Sequence, residues 1–193
     1  PGVGKTHLLY AIGTALSKNW SDAEVIVTNG AALSHAVSCA LAEGGMPGIE
    51  QSMAGAKALL VDDAHLLAVT DRNRAALSKV FADFFSRNLQ VVLTSAYPPR
   101  TLGALEEALK ISLAKGWAVD VKVPNPSVRE DVIQAFAARV GAQLSGSDVK
   151  KLQERLGTNH GEFPRIVRRW QAMLDIYRAQ GVEPLVEDIL ANL

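Results

Sequence analysis

Pro1-Gly2-Val3-Gly4-Lys5-Thr6 is a glycine loop that ends in lysine and threonine and runs straight into a helical pattern of Leu8, Leu9, Ile12 and Leu16. Glycines in such a loop let successive backbone N–H groups point inward at a polyphosphate without side-chain clash. The helix that follows adds its positive dipole end. Lys5 brings an ammonium for the β- and γ-phosphates, and the Thr6 hydroxyl is a ligand for Mg²⁺. The expected nucleotide-contacting stretch is therefore Gly2, Val3, Gly4, Lys5, Thr6 and His7. A loop of this kind normally follows a buried strand, and that strand is expected upstream of residue 1.

Three apolar runs follow, Val25-Ile26-Val27, Ala58-Leu59-Leu60-Val61 and Val91-Val92-Leu93. They lack polar alternation and are separated by helical patterns, so they read as buried parallel strands of an α/β protein. Between the last two, Leu77, Val80, Phe81 and Phe84 recur at i, i+3, i+4 and i+7, the stripe of a core-facing helix. The second run ends in Asp62-Asp63, about 57 residues after the glycine loop. A carboxylate at a strand's carboxyl end, facing such a loop, holds Mg²⁺. Asp62 is the expected metal residue, and Asp63 the group that orients or deprotonates an attacking water. Thr94-Ser95 ends the third run, where a hydroxyl can contact a γ-phosphate or the water. The ordinary alternatives are a helix cap for the acid pair and a turn cap for Thr-Ser.

Trp117, Val119, Val121 and Val123 alternate with polar residues, as an outer strand does. Beyond Pro124-Asn125-Pro126 the pattern becomes purely helical. Ser127-Val128-Arg129-Glu130 reads as a capping box opening a helix with Val132, Ile133, Phe136 and Val140. A longer helix from about Phe163 to Tyr177 sets Arg165, Arg168 and Arg169 opposite an apolar stripe, and another begins near Pro184. Two parts result: a nucleotide-binding α/β part over 1–124 and an all-helical part over 125–193. Arg165, in the long helix's first turn, is placed to reach the phosphates across a cleft. A solvated face is the simpler account of all three arginines.

Composition narrows the function classes. With 20 Lys+Arg against 20 Asp+Glu there is no global field to hold nucleic acid, which leaves DNA contact to flanking domains or the local arginine face. The single Cys39 makes no internal disulfide, which fits a reducing, cytoplasmic setting. His7, His35, His65 and His160 show no metal-ligand spacing and read as structural or surface residues. No apolar run approaches the roughly 18–20 residues of a membrane helix, so no membrane partner is expected.

In this order and spacing, PGVGKTHLLYAIG, ALLVDDAHLL, VVLTSAYPP, WAVDVKVPNPSVREDVI and VEPLVEDILANL resemble the AAA+ domain of the bacterial replication initiator DnaA and its close relatives. The resemblance spans essentially the whole chain. It implies a three-layer P-loop AAA+ fold with a five-stranded parallel sheet and a small helical lid, binding ATP or ADP with Mg²⁺ at a subunit edge. It also implies assembly through copies of itself or with another AAA+ or regulatory protein. Lys5 and Thr6 match the Walker A pair, Asp62 and Asp63 the Walker B pair, and Thr94-Ser95 the sensor 1 strand end. Three positions depart from the family pattern. Ala96 replaces an acidic residue, Ser112 stands at the arginine that reaches a neighbour's γ-phosphate, and Pro164 aligns with the lid's sensor 2 arginine, one residue before Arg165. Loss of the finger arginine implies weak neighbour-stimulated hydrolysis, since such a residue is worth roughly 10³–10⁵ in rate. Two further readings stay open: a non-hydrolysing assembly module of the same fold, and a helicase-loader or transposition accessory ATPase.

Overall fold

A computed structural model of the chain describes residues 3–21, 24–122, 124–139, 145–156, 172–173 and 175–182. It divides into two compact units, Gly4–Asp120 and a second that comprises Pro1–Val3 and Val121–Leu193. The first unit runs α1 (Lys5–Ser17), β1 (Val25–Asn29), α2 (Gly30–Ala42), α3 (Pro47–Ala54), β2 (Ala58–Asp62), α4 (Arg74–Ser86), β3 (Gln90–Leu93) and α5 (Gly103–Leu109). All three apolar runs are strands, and they pair in parallel in the order β1-β2-β3.

β2 is the middle strand, and its alternating side chains build both faces of the core. Leu59 and Val61 pack with Leu33 and Val37 of α2, Met53 of α3, Leu109 of α5, and Leu77, Val80, Phe81 and Phe84 of α4. Ala58 and Leu60 turn the other way, toward Leu9 of α1 and Val25 of β1. The result is a three-layer α/β arrangement in which the α4 stripe read from the sequence lies fully inside. Because β1 and β2 run in register from Val25↔Ala58 to Asn29↔Asp62, Asn29 and Asp62 sit side by side at the carboxyl edge.

The opposite edge is pinned by an ion pair. Lys57 Nζ lies 2.6 Å from Glu24 Oε1, while the Ser21 amide and hydroxyl donate to Glu24 Oε2 at 2.8 and 2.9 Å. The Lys57 hydrogen bond, followed by those from Ser21, holds the Glu24 carboxyl down to about 2 from its ordinary 4.5. A lowered folded-state value means that the unfolded chain binds the proton first. The pair's contribution is complete above 4.5 and is lost as pH falls toward about 2. Wild type and Glu24→Gln are accordingly expected to differ in urea midpoint at neutral pH and to converge as the pH is lowered through that window.

The segment between β2 and α4 is fixed by Asn73, which is 2% exposed. Its amide donates to Ser38 Oγ and the Ala68 carbonyl, and its Oδ1 accepts the Thr70 N–H. These bonds tie the chain leaving the acid pair to α2.

Two sequence expectations are corrected. Trp117–Lys122 forms no strand; Trp117 and Val119 are exposed, and Val123 lies outside the described residues. Alternation fixes which side chains share a face, but a strand also needs a neighbour to take its backbone hydrogen bonds, and among the described residues this segment joins no ladder. In the second unit, α6 (Pro126–Arg139) starts earlier than the Ser127 box implies. Asn125 is the cap: its Oδ1 accepts from the Val128 N–H at 2.9 Å and from the Ser127 hydroxyl. Asn is a strong N-cap and Pro126 suits the first helical position, so the pair outcompetes Ser127. α7 (Gly146–Leu156) opens with a reciprocal box between Ser145 and Asp148, and among the described residues of these two helices Ile133, Ala137, Val149 and Leu152 are buried. The lid arginines Arg165, Arg168 and Arg169, Pro164 and the helix expected from Pro184 lie outside the described residues.

Candidate nucleotide site

The site begins with Gly4, the residue before α1, whose φ of 93° is a left-handed conformation that suits glycine. Having no side chain, Gly4 caps nothing, and no acidic residue occupies the helix's first turn. Its leading N–H groups therefore keep their positive end free of a side-chain cap, with Lys5 half-buried at the start of the helix. This is the electrostatic environment of an anion site.

Thr6, one residue on, donates its hydroxyl to Asp62 Oδ2 at 2.6 Å. The other oxygen, Oδ1, accepts the Thr94 hydroxyl at 2.5 Å. One carboxylate thus joins the first turn of α1, the end of β2 and the end of β3. Thr94 is held twice more: its Oγ1 accepts the Asp63 N–H at 2.9 Å and its carbonyl accepts the Ala64 N–H at 2.8 Å. Ser95 Oγ accepts the Tyr97 N–H at 3.0 Å, capping the turn that follows.

The structure thus brings Lys5, Thr6, Asp62, Asp63 and Thr94 to one edge of the sheet, with Ser95 beside them. Gly2 lies outside the described residues, as does Arg165; Val3 and His7 are described, and His7 is exposed on α1. Hydroxyl and carboxylate oxygens are the hard donors Mg²⁺ takes, and the ion completes its shell with water and substrate phosphates. The donor set of Thr6 and Asp62 fits that ion. Among the described residues no cluster of three or more His, Cys, Asp or Glu exists that would hold a metal by protein ligands alone.

Asp63 adopts a left-handed backbone (φ 46°, ψ 51°) without being glycine, so the turn after β2 is held by its surroundings. Thr94 holds it from one side. From the other comes Gly30, the first residue of α2, which sequence reasoning missed. A Cβ at Gly30 would meet the Asp63 carbonyl oxygen at 2.6 Å and the Leu67 nitrogen at 2.9 Å. Both are backbone atoms that cannot rotate aside. Gly30→Ala gains about 1 kcal/mol of helix propensity but overpacks a fixed contact, at a cost of about 1–3 kcal/mol. The expected net result is a lower denaturant midpoint, with a loss of up to about 2 kcal/mol of stability. A midpoint equal to or above wild type would mean that the turn yields freely. No sequence signal marks this residue, since the reason for it is a tertiary approach and not its own φ.

Residues 1–120 match the family model described as the bacterial DnaA ATPase domain. The chromosomal replication initiator protein DnaA of Enterococcus faecalis (strain ATCC 700802 / V583) is 26% identical over 192 residues, covering 100% of this chain and 43% of that protein. The chain therefore spans less than half the length of this relative. Among solved structures, domain III of the Thermotoga maritima replication initiation protein DnaA superposes with a TM-score of 0.85 at 20% identity, covering 100% of this chain and 79% of that one. AMPPCP-bound DnaA from Aquifex aeolicus gives a TM-score of 0.71, also at 20% identity, over 91% of this chain and 53% of that one. No helix among the described residues is long and apolar enough to cross a membrane. A glycine loop opening α1, an acid pair ending β2 and a family match over both lead to one assignment: the chain belongs to the bacterial DnaA ATPase-domain family.

Proposed function

We propose that this chain binds ATP with Mg²⁺ at the edge formed by α1, β2 and β3, and that nucleotide state switches its assembly with neighbouring protein chains, in replication initiation or its regulation. The observation that carries the reading is the 2.6 Å contact between Thr6 and Asp62, residues 56 positions apart. The first-turn amides of α1 and Lys5 bind the phosphate oxygens. Thr6 and Asp62 hold Mg²⁺, which when bound neutralises phosphate charge. Asp63 orients a water for attack on the γ-phosphorus and accepts its proton, while the β–γ bridging oxygen leaves with the bonding pair. Thr94 keeps the Asp62 carboxylate and the Asp63 backbone in place. Ser95 and His7 line the approach.

The experiment is sedimentation velocity with Mg²⁺ and ATP, ADP or no nucleotide. ATP is expected to shift the chain to larger species that ADP does not support. Identical profiles in all three would remove the switch. A second reading, an assembly module with little turnover, draws on Ser112. That residue is exposed between α5 and the short turn at Leu113, and it carries no cation where the family has its arginine.

A further inference from the structure

His65 lies two residues beyond Asp63, and its contacts go past those of a surface histidine. The ring is 16% exposed and stands edge-on to Tyr97, with centroids 5.3 Å apart and planes at 83°. Its Nδ1 accepts the Ala96 N–H at 3.4 Å, and the same atom is 3.9 Å from Asp63 Oδ1. One nitrogen thus faces two partners with opposite requirements. As an acceptor it holds the Ser95–Tyr97 turn, and with the hydrogen on Nδ1 it becomes a donor toward the carboxylate.

The backbone of Asp63 is already fixed, by Thr94 on one side and by the approach of Gly30 on the other. What remains adjustable is its side chain, which is 42% exposed. The imidazole is the group placed to limit that freedom. It sits on the short turn Ala64–Leu66, where the Leu66 N–H returns to the Asp63 carbonyl at 2.8 Å, so it moves with Asp63. Tyr97 braces the ring from the segment after β3.

We propose that His65 is a positioning residue: braced by Tyr97, its imidazole limits the orientations open to the Asp63 carboxylate. The proposal rests on the reading of Asp63 as the group that orients water. A histidine present only for packing would affect stability or nucleotide affinity and leave the chemical step alone. A positioning histidine affects the step itself, because a displacement of about 1 Å in a reacting group costs up to about a hundredfold in rate.

The test measures Mg·ATP affinity and steady-state turnover on the full chain. His65→Ala is expected to lower kcat at least about tenfold, with KM and ATP affinity within about twofold of wild type. Tyr97 is more than half exposed, so Tyr97→Ala probes the same link in a chain that keeps its fold; it is expected to lower kcat likewise. Tyr97→Phe retains the ring edge and with it the turnover. The double variant is expected to lose no more than the larger single loss, as for two residues acting through one link. Unchanged kcat in His65→Ala, losses that multiply in the double variant, or a fall in kcat matched by a fall in affinity would each overturn the proposal. A wild-type chain that binds ATP without turning it over also overturns it while leaving the nucleotide site standing. Failure to bind ATP at all removes the proposed function itself, and this proposal with it.

Discussion

Lys5→Ala is expected to weaken Mg·ATP binding by about a hundredfold. A lysine ammonium contributes hydrogen bonds to charged oxygens worth about 1.5–3 kcal/mol, and each 1.4 kcal/mol is tenfold in affinity. The setting puts Lys5 at the upper end of that range. It stands at the start of a helix whose first-turn amides have no side-chain cap and whose first turn carries no acid, so no residue there offsets the missing charge. Lys5 is only half-buried and belongs to neither core cluster, so the thermal midpoint of the nucleotide-free chain is expected to stay near wild type. Fluorescent-nucleotide titration and thermal unfolding check the two halves. Equal affinity in the variant would show that the loop binds no polyphosphate.

Asp63→Asn is expected to cut ATP turnover by about 10²–10⁴, the usual contribution of a positioned general base. The amide has the carboxylate's shape and cannot accept the water's proton. The turn that carries it is held by backbone groups, through Thr94 and Gly30, so the substitution leaves the turn and the nucleotide affinity in place. Asp62 is different in kind: both its oxygens accept hydroxyls from other elements, so changing it disturbs the site's structure as well as its chemistry. If the wild-type rate is already near background and Asp63→Asn leaves it there, the assembly-module reading signalled by Ser112 prevails.

What was legible in the sequence follows from how far each signal reaches along the chain. The apolar runs of β1, β2 and β3 and the Leu77-Val80-Phe81-Phe84 stripe could be read because core-facing periodicity is local, but the expected burial holds along β2 alone: β1 keeps Val25 buried with Val27 exposed, and β3 is half-buried at best. The glycine loop and the acid pair could be read because their chemistry dictates residue type. Trp117–Lys122 was misread because alternation says nothing about a ladder partner. The start of α6 was displaced by one competition among caps, Asn125 against Ser127. The Thr94 hydroxyl, read from the sequence as a contact for a γ-phosphate or a water, also donates to Asp62 and accepts the Asp63 N–H, contacts that come from the parallel pairing of β2 with β3. Gly30 and His65 escaped because their roles depend on α2 and on the segment after β3 arriving at the Asp63 turn, which no spacing in the sequence encodes.

Calorimetric titration of the chain with ATP, in the presence and absence of Mg²⁺, asks most directly whether Thr6 and Asp62 form the metal half of a nucleotide site. One saturable site is expected, tighter with Mg²⁺ than without it, and Asp62→Asn should abolish the Mg²⁺ increment while leaving some binding through Lys5 and the α1 amides. Binding that is absent under both conditions, or indifferent to Mg²⁺ in the wild-type chain, would contradict it.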